Sequence, residues 1–286
     1  TPVLENALNA APTLSAVEEL YRPFKQKRRT RASVAKEKGL EPLARTLLTQ
    51  DPALTNLNQA AAAYICLEKG VETAEDALGG ASDILAELVA DSPDVRAGLR
   101  QSMLRTGVLH AAQARDEDSV YRLYYNADFQ LGRLRGHQIL ALNRGEAEGF
   151  LKISLAADAS ALPAVIRRFV IPGRGASVFV RKAVEDGYAR LLFPSVSREI
   201  RTALTDQACA GAIHSFATNL RPLLMQPPVR GHVTLGYDPG YRNGCKLAVV
   251  DGTGKVLDTA VIYPTPPYSR TEDAKNTLRR LIRRHR

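Results

Sequence analysis

The 286-residue sequence has only three cysteines, Cys66, Cys209 and Cys245, far apart and without a CxxC pair. Structural zinc sites and disulfide frameworks need clustered or regularly spaced cysteines, so neither is expected and a reducing cytoplasm fits. No apolar run approaches the roughly 18 residues that span a bilayer. The start of the chain also lacks the basic-then-apolar signature of a signal peptide. No membrane partner is expected. Thr1 is not an initiator, and the chain stops within the charged run Arg279 to Arg286, which points to a fragment of something longer. His110, His137, His214, His232 and His285 lie singly, with no spacing that would put two on one helix face as metal ligands. No G-x-S-x-G, Walker-type or H-E-x-x-H motif occurs, and no fixed-period repeat is evident. Gly173-Arg174-Gly175 and Gly79-Gly80 are too short to cradle a phosphate. Neither metal nor cofactor is expected.

What is abundant is positive charge. Lys and Arg number 39 against 30 Asp and Glu, a net charge of +9. Such a balance favours a polyanionic partner, because phosphates gain from neutralisation and counterion release. The hydrophobic fraction, 45%, is enough to bury a core.

Residues 1–228 read as a helical array. Ser15 with Glu18 forms a capping box ahead of Val17, Leu20, Tyr21 and Phe24. Gly39 closes the next helix, and Pro42 sits where a first-turn proline is tolerated. Thr73 opens a further helix through Leu78, Ile84, Leu85 and Leu88. Ser92-Pro93 opens one that ends at Gly107. Short strands are expected near Phe150–Leu155 and at Phe169–Ile171, before Pro172-Gly173. Helix then resumes over residues 176–192 and 195–225. The second of these is apolar on most sides, which marks it as the buried spine of the array.

After Gln226-Pro227-Pro228 the pattern changes. Val233–Tyr237, Cys245–Asp251 and Val256–Tyr263 read as strands, with a turn at Gly252-Thr253-Gly254 and a helix over 271–285. The fold class is therefore mostly α, a multi-helix array over 1–228. The beginning of an α/β domain follows over 229–286.

Two features carry possible chemistry. The first is the run Lys25, Lys27, Arg28, Arg29 and Arg31 with Lys36 and Lys38, seven cations against Glu37 alone. Arg presents a planar fork to phosphate oxygens and Lys a mobile point charge, so such a cluster suits nucleic-acid backbones. The alternatives are a solvated face, or arginines held by acidic helices of the same protein. The second is Asp238 in Gly236-Tyr237-Asp238-Pro239-Gly240, at the end of the first C-terminal strand. A nuclease of the RNase H type needs several carboxylates around paired Mg²⁺ ions, and one Asp cannot suffice. Asp251 and Asp258 read as turn and surface residues, and Asp238 as a strand-ending turn. Tyr121, Tyr124 and Tyr125 are either base-stacking groups or, at i, i+3 and i+4, a core stripe.

Several longer blocks resemble the Tex family of bacterial transcription accessory proteins. They are Leu20-Tyr21-Arg22-Pro23-Phe24-Lys25, Lys27 to Ala32, Ala35 to Ala44, Gly70 to Leu78, Ile139 to Glu146, Leu235 to Lys246, and Gly254 to Thr259. The resemblance covers essentially the whole chain. It implies a helical region with a helix-turn-helix-like part, then a YqgF domain of RNase H-like fold. Helix-hairpin-helix segments and an OB-type RNA-binding module would follow in the family. It further implies RNA or DNA as partner, RNA polymerase or other transcription proteins as associates, and no enzymatic activity. On this reading Asp238 matches the first resolvase carboxylate as a vestige. The alternative is a Mg²⁺-dependent nuclease or junction resolvase that uses Asp238.

Overall fold

A computed structural model describes residues 2–11, 17, 21, 29–227 and 229–285. Ser15, Glu18, Leu20 and Phe24 of the first expected capping box and apolar stripe lie outside the described residues. The chain divides into two compact units, Thr1–Ile213 and His214–Arg286.

The first unit opens with α1 (Pro2–Asn9) and continues through α2 (Arg31–Glu37), α3 (Glu41–Thr49), α4 (Leu57–Ala62), α5 (Ala74–Asp91) and α6 (Pro93–Thr106). The boundaries follow the caps. Gly39, at φ +85°, supplies the left-handed residue just past α2. Thr73 accepts from the Asp76 N–H, and the Asp76 carboxylate accepts from the Thr73 N–H at 2.9 Å, a reciprocal box that starts α5. Pro93 lies in the first turn of α6, and Gly107 ends it.

The helix at the centre of this unit is α5, against which α2, α3, α4 and the later α9 all pack. It is built of small residues. Ala77, Ala81, Ala86 and Ala90 are buried, and Gly79-Gly80 sit mid-helix, where a Cβ on Gly80 would lie 2.4 Å from Leu40 Cδ1. Small side chains let neighbouring backbones approach, which is how one helix serves four partners.

Three strands interrupt the helices. β1 (Val108–Gln113) pairs antiparallel with β2 (Ala127–Gln130) and with β3 (Leu151–Ala156), giving the order β2-β1-β3. The sequence pattern points to β3 alone. The other two carry Ala and Asp, residues of low strand preference. Tyr121, just before a 3₁₀ turn at Arg122–Tyr124, is buried, and its hydroxyl donates to Glu148 at 2.9 Å. Tyr124 and Tyr125 pack against the same core. The tyrosines are thus core groups, although they do not form a stripe on an α-helix.

After α7 (Gly136–Ala147) and β3 comes α8 (Ala161–Phe169). Phe169–Ile171, expected as a strand, is instead the end of α8 and the extended residues after it. Its backbone groups are taken by a side chain rather than by a strand partner. Gln50, buried and left-handed at φ 52°, donates through Nε2 to the Phe169 carbonyl at 2.6 Å and accepts the Ile171 N–H at 2.9 Å. Gln50→Ala should therefore cost about 2 kcal/mol through two backbone groups left without partners. Gln50→Gly, which relieves the left-handed backbone, should regain about 1 kcal/mol of that. Urea unfolding of both variants measures the difference.

The chain then runs through α9 (Ser177–Gly187), a π turn at Tyr188–Leu192, and α10 (Phe193–Leu224) without a break. The interruption expected near Pro194 is absorbed by the wide turn. Phe193 N–H donates to the Tyr188 carbonyl, five residues back, in the segment where a proline ring would crowd a normal turn. The sequence pattern marks α10 as the buried spine, and the structure corrects this. Val196, Ile200 and Ala208 are buried, whereas Ile213 is 68% and Phe216 67% exposed. An apolar composition on all sides does not say which neighbour covers the helix, and the packing partners of the first unit end near Ala208.

The second unit holds β4 (Thr234–Asp238), β5 (Cys245–Val250), β6 (Val256–Ile262) and α11 (Thr271–His285), in antiparallel order β4-β5-β6. The strands and helix expected at the opening of an α/β domain are present. Cys245, Leu247, Val249 and Ile262 pack with Ala274, Leu278 and Leu281 of α11 in a separate small core. No described helix is long and apolar enough to cross a membrane.

Candidate nucleic-acid interface

The start of α2 is fixed by its own cap. Thr30 Oγ1 accepts the Ser33 N–H at 3.0 Å, and Ser33 Oγ accepts the Thr30 N–H at 2.8 Å. Thr30 Oγ1 also donates to Glu87 of α5 at 3.0 Å, while Ala32 and Ala35 are buried. These interactions anchor the basic segment at its C-terminal half. Lys25, Lys27 and Arg28 lie outside the described residues.

The four described cations divide into two kinds. Lys36 Nζ pairs with Glu87 at 3.5 Å, and Lys38 Nζ donates to the Gly70 carbonyl at 2.7 Å. Both link α2 to distant parts of the unit. Arg29 and Arg31 are exposed and make no ion pair with a described residue. They line a groove with Lys38 and the α5 residues Glu75, Asp76 and Asp83. Hydrogen bonds from Thr73 hold the Asp76 carboxyl below its ordinary value, with a smaller contribution from Lys38. Asp83 is engaged by Arg190 at 3.0 Å. The groove is therefore mixed in sign, and Arg29 and Arg31 are its outward-facing cations.

Asp238 ends β4, opposite Lys246 on β5. Strand pairing places Gly236, Asp238, Lys246, Ala248, Thr259 and Val261 on the face away from α11, and that face is open. Asp251 accepts from Thr253 and Lys255 in the β5–β6 turn, which holds its carboxyl below the ordinary value, as a turn residue should be. Asp258 differs from expectation. Its side chain is tucked under α11, where His285 Nε2 lies at 3.1 Å and Arg284 at 3.3 Å. The His285 hydrogen bond is the main cause of its lowered pKa. It is on the opposite face from Asp238, because it pairs with Val249, whose neighbours pack under the helix. The three carboxylates do not converge. Among the described residues, no three His, Cys, Asp or Glu side chains are grouped as a metal ion requires.

The Lys25–Lys38 run carries seven cations, yet it is not where the net charge resides. Residues 214–286 contain twelve Lys and Arg against five Asp and Glu, so this quarter of the chain holds seven of the nine net charges. The first 213 residues, basic run included, come close to balance. Counting charge by segment rather than by run exposes this from the sequence alone.

The Tex central region-like family matches residues 51–216, and the Tex protein YqgF-like domain matches residues 232–286. Protein tex of Bordetella pertussis is 38% identical across the whole chain, which covers 38% of that protein. Transcriptional accessory protein Tex of Neisseria gonorrhoeae is 34% identical over 99% of the chain and 38% of its own length. S1 RNA-binding domain-containing protein 1 of Homo sapiens is 30% identical over 91% of the chain and 28% of its own length. The chain spans well under half the length of these relatives. With one family covering more than half of the sequence and its companion domain following, this chain belongs to the Tex family.

Proposed function

We propose that this chain is a non-catalytic part of a cytoplasmic transcription accessory protein, which binds RNA or DNA by its phosphates and associates with the transcription machinery. Membership of the Tex family carries this reading, since relatives bear the names transcriptional accessory protein and S1 RNA-binding domain-containing protein. Two exposed arginines, Arg29 and Arg31, beside an anchored helix start supply groups suited to phosphate.

Anisotropy titrations of the chain with single-stranded RNA and duplex DNA at several salt concentrations test the proposal. Binding should be largely independent of sequence and steeply dependent on salt. Changing Lys27, Arg28, Arg29 and Arg31 to Ala should flatten the slope by about one unit for each phosphate no longer neutralised. Cleavage of branched DNA with Mg²⁺, abolished by Asp238→Asn, would overturn the non-catalytic reading.

A further inference from the structure

We infer that the solvent face of α11 is a second docking surface for the phosphates of a nucleic-acid strand, centred on Arg279, Arg280 and Arg283. The inference rests on the nucleic-acid reading above and gives it a binding region that the basic run at Lys25–Lys38 does not include.

The helix buries Ala274, Leu278 and Leu281 against the sheet. At 100° per residue the opposite side carries Arg279 and Arg283, with Arg280 beside them, and all three are exposed. Arg284 is set apart from the group because it reaches Asp258. Among the described residues, none of the Arg279, Arg280 and Arg283 side chains makes an ion pair or hydrogen bond, although Arg280 is close enough to Asp258 to help hold that carboxyl low.

A solvated helix face usually interleaves its charges, and elsewhere in this chain it does. Arg45 pairs with Glu41, Arg144 with Glu148, Arg181 with Glu185, and Arg190 with Asp186, each four residues apart. On α11 the corresponding neighbours are wrong for that purpose. Lys275, itself paired with Glu272 at 2.8 Å, precedes Arg279 by four residues, and Arg283 follows it by four. Asn276 and Arg284 flank Arg280 in the same way. Like charges at this spacing repel, so the arrangement is unfavourable until a polyanion covers it. Attraction to the helix C-terminus accounts for Arg283 and Arg284 in the last turn, but Arg279 and Arg280 lie a turn earlier.

The face also suits phosphates better than an acidic protein. Arg279 and Arg283 are one turn apart, about 6 Å along the axis, on the scale of neighbouring phosphates along one strand. Protein interfaces are organised around aromatic or apolar anchors within a polar rim. This face has no aromatic residue, only Ile282 at its margin.

The test compares the chain with Arg279→Gln/Arg280→Gln/Arg283→Gln and with the Lys version of the same triple, using RNA, duplex DNA and poly-glutamate as probes. Circular dichroism verifies that each variant is folded. The Gln triple should lose about two to three units of salt slope, near 0.9 per phosphate on duplex and 0.7 on single strands. The Lys triple should keep most of the slope. Normal wild-type binding with an unchanged slope in the Gln triple overturns this inference alone. Loss of poly-glutamate binding without loss of nucleic-acid binding also overturns it, and points to an acidic protein. A wild-type chain that binds neither RNA nor DNA overturns both this inference and the reading it rests on.

Discussion

Replacing Glu199 by alanine should destabilise the chain by about 3 kcal/mol, because it removes the carboxylate of a buried ion pair. Glu199, on α10, accepts from Arg96 of α6 at 2.5 Å and from Arg100 at 3.1 Å. Arg96 is 2% exposed, and its guanidinium also donates to the Ala90 carbonyl at 3.0 Å and to Ser195 at 3.1 Å. The partner is less deeply placed, with 29% of its side chain accessible, so the lower end of the usual range of about 3–5 kcal/mol applies. In Glu199→Ala the guanidiniums of Arg96 and Arg100 both lose this carboxylate. For a unit of this size the loss corresponds to a fall in Tm of about 6–12 °C. The double variant Arg96→Met/Glu199→Leu should recover most of this, since apolar replacement of a buried pair is often neutral. A double variant as unstable as Glu199→Ala would mean that packing, rather than the buried charge, sets the cost.

Elements announced by local chemistry are legible in the sequence. Thr73 marks the start of α5, Ser92-Pro93 and Gly107 bracket α6, and the turn at Gly252-Thr253-Gly254 separates β5 from β6. What depends on distant partners is not. Lys36 and Lys38 look like their neighbours in the basic run, yet they are held by Glu87 and by Gly70, 51 and 32 residues away. Phe169–Ile171 has strand-like composition, but Gln50, more than a hundred residues earlier, takes its backbone groups. The same limit hides the central place of α5. Large apolar residues advertise burial, while Ala and Gly advertise nothing until a neighbouring backbone is seen against them. Gly79-Gly80, too short for a phosphate loop, belong to that packed helix.

Glycine substitutions should separate these packing roles, with effects of opposite sign. Gly187 closes α9 where it crosses α5, and a Cβ there would lie 2.7 Å from the Ala86 carbonyl oxygen and 2.9 Å from Ala86 Cα. Both are backbone atoms, so no rotamer change relieves the clash and the helices must separate. Overpacking typically costs about 1–3 kcal/mol and sometimes more, whereas alanine gains about 1 kcal/mol over glycine in a helix. For Gly187→Ala the clash should win, leaving a net loss of about 2 kcal/mol. Gly187→Val, with a larger side chain and poorer helix preference, should lose about 4 kcal/mol. Gly79 is exposed in the middle of α5 and has nothing within 4 Å of its would-be Cβ. Gly79→Ala should therefore stabilise by about 1 kcal/mol through helix propensity alone. Thermal melts of the three variants against the parent give the comparison. A stabilised Gly187→Ala would show that α9 and α5 do not approach at Ala86 as closely as their glycine and alanine allow.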